Sequence, residues 1–287
     1  MELIDGRRVA DEILENVAAQ ILQLKNEGTA LKLAVVLVGD DEASEVYVGQ
    51  KSKACKRTGI EEEMIRLESD EVTTESLIKL VEDLNNRDDI TGFIVQLPLP
   101  KHVYTPDVIK AIDPSKDVDG FHAYNIGKLT LSSEFEHLVP CTPKGIIKML
   151  DYYKIDVKGR DVCIVGASNI VGKPMAAMFL NRMATVSICH IETKDLAHYT
   201  KYADIVVVAV GKPNLITAEM VKDDVILIDV GINKMEDGRL SGDADFENIS
   251  KKSSYITPVP GGVGPMTVAC LIENTLIAYK RQNNIAI

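Results

Sequence analysis

Tyr47 and Lys51 stand four residues apart in the stretch SEVYVGQKSKACKRTGI, residues 44–60. On a helix that spacing stacks them on one face. A phenol and an amine side by side on a rigid element form a usable acid/base pair, although the same spacing on a surface helix also gives two solvated side chains. Gln96 sits in the apolar run GFIVQL, which Pro98 and Pro100 stop at once. It should therefore lie at the carboxyl end of a strand, where ligands bind in open parallel sheets. A glutamine there can bond a ligand amide or a neighbouring ammonium, or simply satisfy loop backbone. Asp117 and Asp119 alternate in DPSKDVDG, residues 113–120. Paired carboxylates suggest a metal, but the ligand series of a Ca²⁺ loop is missing. The alternatives are a carboxylate at a cleft mouth, holding an amino-bearing substrate group, and a solvated turn.

Two further stretches carry chemistry. Residues 161–180, DVCIVGASNIVGKPMAAMFL, read as a buried strand, a glycine turn and a helix start. That arrangement receives a pyrophosphate on backbone N–H groups and the helix dipole. The G-x-G-x-x-G spacing is not met, because Ser168 replaces the second glycine and Gly172 falls one place late. Residues 258–267, PVPGGVGPMT, pack three glycines among three prolines. Glycine lets backbone approach a flat ring and proline stiffens the loop, so a ligand-contacting loop is expected there rather than a plain linker.

The elements that must position these residues follow from periodicity. Ser44 reads as an N-cap and Gly59 as a C-terminal stop, which makes the Tyr47/Lys51 segment one helix. It lies among an amphipathic helix over residues 9–24, strands at 33–38, 64–67 and 92–97, and a helix over 74–86. This β-α-β-α-β alternation predicts an α/β layer with right-handed crossovers. Thr142 and Pro143 open a connector helix. Strands then recur at 161–165, 185–189, 204–210, 225–230 and 255–257, and a final helix over 266–281 carries one apolar stripe. The expected plan is one α/β domain over residues 1–141, a Rossmann-like doubly wound parallel sheet over 142–265, and a C-terminal helix, 266–287, packed back on the first domain.

Bulk properties exclude several classes. The 287 residues are 46% hydrophobic and 26% charged with a net charge of -11, which disfavours a general binder of nucleic acid or anionic membrane. Cys55, Cys141, Cys163, Cys189 and Cys270 are an odd, scattered set without CxxC spacing, so reduced thiols are expected. No Cys/His cluster or HExxH pattern supports a metal. The opening residues MELIDGRRVADEIL lack an apolar signal core, and no apolar run is long enough to span a bilayer. A cytoplasmic protein is expected.

Six motifs occur in one order: Tyr47-x-x-x-Lys51, VQLPL at 95–99, KDVDG at 116–120, PCTP at 140–143, G-x-S-x-x-V-G-x-P at 166–174 and PVPGGVGPMT at 258–267. In this the chain resembles the bifunctional methylenetetrahydrofolate dehydrogenase/cyclohydrolase family over essentially its whole length. The resemblance implies two α/β domains flanking a cleft, folate on the N-terminal one, NADP on the C-terminal one, and a homodimer. It implies oxidation of 5,10-methylenetetrahydrofolate to the methenyl form, then hydrolysis to 10-formyltetrahydrofolate. Lys51 matches the catalytic lysine, Tyr47 its stacking and hydrogen-bonding partner over the folate, and Gln96 the glutamine that orients the lysine. Asp119 matches the aspartate that grips the pterin, with Pro98, Gly261 and Gly262 among the substrate contacts. Gly166, Ala167, Ser168, Ile191 and Ile232 match cofactor contacts.

The chain departs from the family in two places. Ala167 stands where NADP-using members commonly carry arginine, and Ile191-Glu192 follows the Cys189-His190 pair where Ser or Arg is usual. A 2′-phosphate wants Arg or Ser donors and a bare ribose wants a carboxylate. Weakened NADP preference and use of NAD are therefore expected, with Lys173 or Lys194 still able to reach a phosphate. The rivals are a dehydrogenase-only relative, a shikimate-type dehydrogenase and a nucleotide-sensing module. The shikimate-type enzyme lacks reason to carry both VQLPLP and PGGVGP, and the sensing module has no need of Lys51, Gln96 and Asp119 together.

Overall fold

The computed structural model describes residues 1–286. It divides into two compact α/β units, one of residues 11–128, 136–141 and 268–286, the other of residues 1–10, 129–135 and 142–267. In chain order the elements are β1 (Glu2–Leu3), α1 (Gly6–Asn26), β2 (Lys32–Val38), α2 (Glu42–Thr58), β3 (Glu61–Leu67), α3 (Thr74–Asn85), β4 (Gly92–Val95), α4 (Thr105–Ala111), α5 (Ala123–Leu131) and α6 (Cys141–Tyr152). There follow β5 (Asp161–Val165), α7 (Gly172–Asn181), β6 (Thr185–Cys189), α8 (Leu196–Thr200), β7 (Ile205–Val208), β8 (Ile226–Asp229), β9 (Asn233–Lys234), β10 (Leu240–Ser241), α9 (Phe246–Ile249), β11 (Tyr255–Ile256) and α10 (Val263–Gln282).

The first unit holds a parallel sheet in the order β3-β2-β4. The central strand β2 is the uninterrupted run KLAVVLV, and its residues from Leu33 to Val38 are all buried. Ala34, Val36 and Val38 pack with Leu77, Val81 and Leu84 of α3, Phe93 and Val95 of β4, and Val108 of α4. Both faces of β2 are covered, as a continuous apolar run requires. Residues 268–282 of α10 belong to this unit. The buried Asn274 amide donates to the carbonyls of Val118 (2.8 Å) and Val139 (3.0 Å).

The second unit is built on a parallel six-stranded sheet in the order β1-β11-β8-β7-β5-β6. The chain steps outward from β5 to β6 and then returns to the other side of β5 with β7. This reversal makes the β5/β7 boundary the switch point of a doubly wound sheet, where a crevice opens at the carboxyl ends. Residues 1–10 and 129–135 group with this unit, unlike the division at 141/142 drawn from the sequence. The physical reason for the first segment is strand pairing: β1 adds to the sheet edge beside β11, with Glu2 opposite Tyr255 and Leu3 opposite Ile256. Two residues are too few to show a strand period.

Two caps also differ. Asp41, not Ser44, starts α2, its carboxylate accepting from the Ser44 N–H at 2.8 Å. The helix α6 begins at Cys141, which places Thr142 within its first turn. The C-cap at Gly59 is as expected, with φ +83° and its N–H donating to Cys55 O.

One side chain fixes the loop between α4 and α5. Asp117 is 1% exposed and accepts from the N–H groups of Gly120 (3.0 Å), Phe121 (3.2 Å) and His122 (2.8 Å) and from Asn125 Nδ2 (2.8 Å). Replacing it by alanine strands four donors in the interior. Asp117→Ala should cost about 3 kcal/mol or more, read as a fall in the urea midpoint at unchanged slope.

Candidate functional site

The helix α2 presents Lys51 inward. The side chain is 6% exposed, and its Nζ donates to Gln96 Oε1 at 2.8 Å. Gln96 lies one residue past β4. Its N–H extends the ladder to Val36 O at 2.8 Å, and its own Nε2 donates to Leu97 O at 2.6 Å. These two anchors fix which face of the amide meets the lysine: the carbonyl oxygen can only accept, so it holds the amine without adding charge. The sheet therefore places Gln96 as expected, at the carboxyl end of β4, and brings it to Lys51 across 45 positions of sequence.

Tyr47, one turn before Lys51, is half-buried, and burial raises its phenol above the ordinary value. It stays protonated and can donate. Asp119 is half-buried in the loop pinned by Asp117. Burial raises its carboxyl to about 6, against the opposing pull of the Lys51 charge and with a further push from Asp117. Among the described residues no side chain or backbone group hydrogen-bonds to the Asp119 carboxylate or the Tyr47 hydroxyl. Lys51, Gln96, Tyr47 and Asp119 thus come together on one unit, with two polar ends uncommitted. Pro98 is exposed beside them, after the cis Leu97–Pro98 peptide.

The second unit carries the other predicted residues on loops at the carboxyl edge of its sheet. Gly166 follows β5 with φ +121°, and a Cβ there would lie 2.3 Å from Ala209 O. A Cβ at Gly172 would lie 1.8 Å from Gly166 O. The turn into α7 is thus closed so tightly that only glycine fits at both points. Ser168 is exposed, and its Oγ accepts from the N–H groups of Val171 (3.1 Å) and Gly172 (3.4 Å). The hydroxyl closes the loop and keeps its proton for a ligand. Ala167 is half-buried, Ile191 is 95% exposed and Ile232 is 44% exposed. The glycine turn and the positive end of the α7 dipole fit a dinucleotide phosphate. Gly261 and Gly262 are buried in this unit beyond β11. Gly261 O accepts from Arg7 N at 3.1 Å and Gly262 N donates to Pro258 O at 2.8 Å. The close approach these glycines allow is to the start of α1.

Residues 140–283 match the model of the tetrahydrofolate dehydrogenase/cyclohydrolase NAD(P)-binding domain, and residues 4–119 match that of the catalytic domain. The chain belongs to the tetrahydrofolate dehydrogenase/cyclohydrolase family. A bifunctional FolD protein of Nautilia profundicola is 55% identical over 280 residues, 98% of each chain. The crystal structure of the bifunctional FolD enzyme of Campylobacter jejuni has a TM-score of 0.95 at 50% identity, covering 98% of this chain and 99% of that one. The FolD of Trypanosoma brucei, solved with NADP and an inhibitor, has a TM-score of 0.93 at 35% identity over 98% of both chains. The expected bifunctional activity, dehydrogenase and cyclohydrolase, holds for this chain.

Within the tetrahydrofolate dehydrogenase/cyclohydrolase fold, sequence reasoning missed several buried polar residues that shape these loops. Asp117 was paired with Asp119 by alternation, yet only Asp119 is uncommitted. Asn125, Asn274, Asp229 and Asp243 carry no local pattern; only their later burial marks them. Asp229 and Asp243 each lie close to a glycine, in DVG and SGDAD, and that does not separate them from a solvated turn.

The raised Asp119 carboxyl gives a direct test. In the window from about 4 to about 6 the folded chain keeps a proton that the unfolded chain has released, so this residue makes stability fall as pH rises through that window. Carbon-detected NMR of the Asp119 carboxyl should show a midpoint near 6. Lys51→Met should move that midpoint upward, because the favourable charge is gone; an unchanged midpoint would contradict the placement of the two groups.

Proposed function

We propose that Lys51 is the residue on which the hydrolytic step turns and that Tyr47, Gln96 and Asp119 set the folate around it. The observation that carries this reading is the buried Lys51 amine held at 2.8 Å by a neutral amide oxygen. Oxidation of 5,10-methylenetetrahydrofolate removes a hydride from the one-carbon bridge and leaves a methenyl cation. The bound nicotinamide supplies the hydride acceptor, at its C4. An ammonium beside that cation opposes the step, and the cation in turn favours the lysine in its neutral form. Water then adds to the cationic carbon, Lys51 accepts one of its protons, and C–N cleavage gives 10-formyltetrahydrofolate with release of one proton. Gln96 fits this role because it orients the amine without a counter-charge that would hold it protonated. The Asp119 carboxylate can accept two parallel N–H bonds from an aminopyrimidine edge, and the Tyr47 ring offers a stacking face with a hydroxyl donor.

The cofactor reading is NADP, with NAD also accepted. Supporting it are the cation-free Ala167 position, the exposed Ile191-Glu192 pair, and Lys173, whose Nζ donates to Asn169 Oδ1 at 2.7 Å. A carboxylate at Glu192 suits a ribose hydroxyl and repels a 2′-phosphate. A homodimer belongs to the same reading and rests on the family resemblance, and a cytoplasmic location is supported by the scattered cysteines without CxxC spacing.

Lys51→Ala should lower methenyl hydrolysis by at least about a hundredfold, within the range expected for a positioned acid/base group, while the variant stays folded by circular dichroism. Unchanged decay of the methenyl absorbance would refute the role. For the cofactor, kcat/KM with NADP should exceed that with NAD by no more than about tenfold, roughly 1.4 kcal/mol of discrimination. A NADP advantage of several hundredfold would show that a cation other than Ala167 meets the phosphate.

A further inference from the structure

We propose that Asp243, seated on Asp229, is the positioning residue that sets two loops at the carboxyl edge of the six-stranded sheet for the nicotinamide end of the dinucleotide. The proposal rests on the NAD(P)-dependent dehydrogenase reading above. Asp243 is 0% exposed. Its Oδ2 accepts from the N–H groups of Val210 (2.7 Å) and Gly211 (2.9 Å), and its Oδ1 from Lys212 N (2.8 Å) and Asn233 Nδ2 (2.9 Å). Three consecutive backbone donors after β7 and one side-chain donor after β8 thus converge on one carboxylate.

Asp229 ends β8 and supports Asp243 from below. Its carboxylate accepts from Gly231 N (3.0 Å), Asp243 N (2.9 Å) and Ala244 N (2.9 Å). Its own N–H donates to Thr257 Oγ1 at 2.7 Å, which ties in the residue that follows β11. Close packing allows no other arrangement: a Cβ at Gly231 would lie 2.2 Å from Asp243 Oδ1, and one at Gly242 2.0 Å from Asp229 Oδ2. The network therefore joins the loops after β7, β8 and β11, three adjacent strands of the sheet.

The consequence for a ligand lies in what the network turns outward. The N–H groups of residues 210–212 all point in to Asp243, while the side chains of Val210 and Ile232 remain 47% and 44% exposed. They stand at the carboxyl ends of neighbouring strands, on the switch-point side of the sheet. Two aliphatic side chains held outward on pinned backbone offer an apolar floor to a flat ring, and hydride transfer depends on the placement of that ring. Buried carboxylates are costly unless fully hydrogen-bonded, and here the bonds that Asp229 and Asp243 accept all serve loops at this edge.

The bifunctional enzyme supplies its own control, because methenyl hydrolysis consumes no dinucleotide. Asp243→Asn keeps the size of the side chain but exchanges an acceptor oxygen for a donor facing backbone N–H groups. Asn233→Ala removes a single donor and is the milder variant should the first not fold. The expected result for Asp243→Asn is a fall of at least about thirtyfold in dehydrogenase kcat/KM for the dinucleotide, from lost positioning, with methenyl hydrolysis within twofold of wild type. Asn233→Ala should shift the same ratio in the same direction by about threefold or more. Equal losses in both activities, or no change in either for the two variants, would overturn the proposal. A wild-type enzyme without dinucleotide-dependent turnover would overturn the underlying function reading, and this proposal with it.

Discussion

A parallel strand delivers its chain to the carboxyl edge of the sheet with backbone N–H groups that no neighbouring strand can accept. Both units consist of such strands, and both place candidate site residues on the loops beyond them. Every tight loop there must find acceptors locally or leave buried donors unsatisfied. The chain solves this with carboxylates. Asp117 takes three backbone donors in the first unit, and Asp229 and Asp243 take three each in the second. The cost appears in the raised carboxyl of Asp229, pushed up to about 6 by burial with Asp243 beside it. In return, loops that would otherwise be mobile hold fixed shapes.

Against that framework the Lys51–Gln96 contact is a choice of neutrality. A carboxylate at Gln96 would bind the amine more strongly in its charged form, and the amine would then be a poor acceptor for a proton from water. An amide oxygen positions without that bias. Asp119 feels the Lys51 charge through space and not by a hydrogen bond. The charge of the site is thus distributed: a held amine, a carboxyl raised by burial, and a phenol kept protonated by burial.

Sequence made the elements legible where their patterns are local. The buried runs at β2, β5, β7 and β8 lacked alternation and so announced a parallel sheet, and Gly59 marked a helix end by its need for positive φ. Tyr47 and Lys51 were legible as a pair because helical spacing is short range. Caps and short strands were less so: Asp41 displaced Ser44 since either can accept from the first turn, and β1 exists only because β11 is there to pair with it. Asp229 and Asp243 were illegible for a different reason. Fourteen positions separate them, and nothing in SGDAD distinguishes a buried acceptor of backbone hydrogen bonds from a solvated turn until the sheet folds around it.

Asp117 and Asp119 show how far alternation alone can carry such a reading. Two carboxylates two residues apart look equivalent in sequence, and both are raised by burial in the fold. Their hydrogen-bonding capacity separates them. Asp117 spends its oxygens on three N–H groups and an amide, so it has nothing left for a ligand, and moving it would undo the loop. Asp119 projects from the loop so formed with its acceptor capacity unspent, near the one buried amine of the site. A group that is desolvated yet unpaired is the kind a substrate can satisfy with gain, since binding replaces a missing hydrogen bond and not an existing one. The committed residue therefore makes the available one possible.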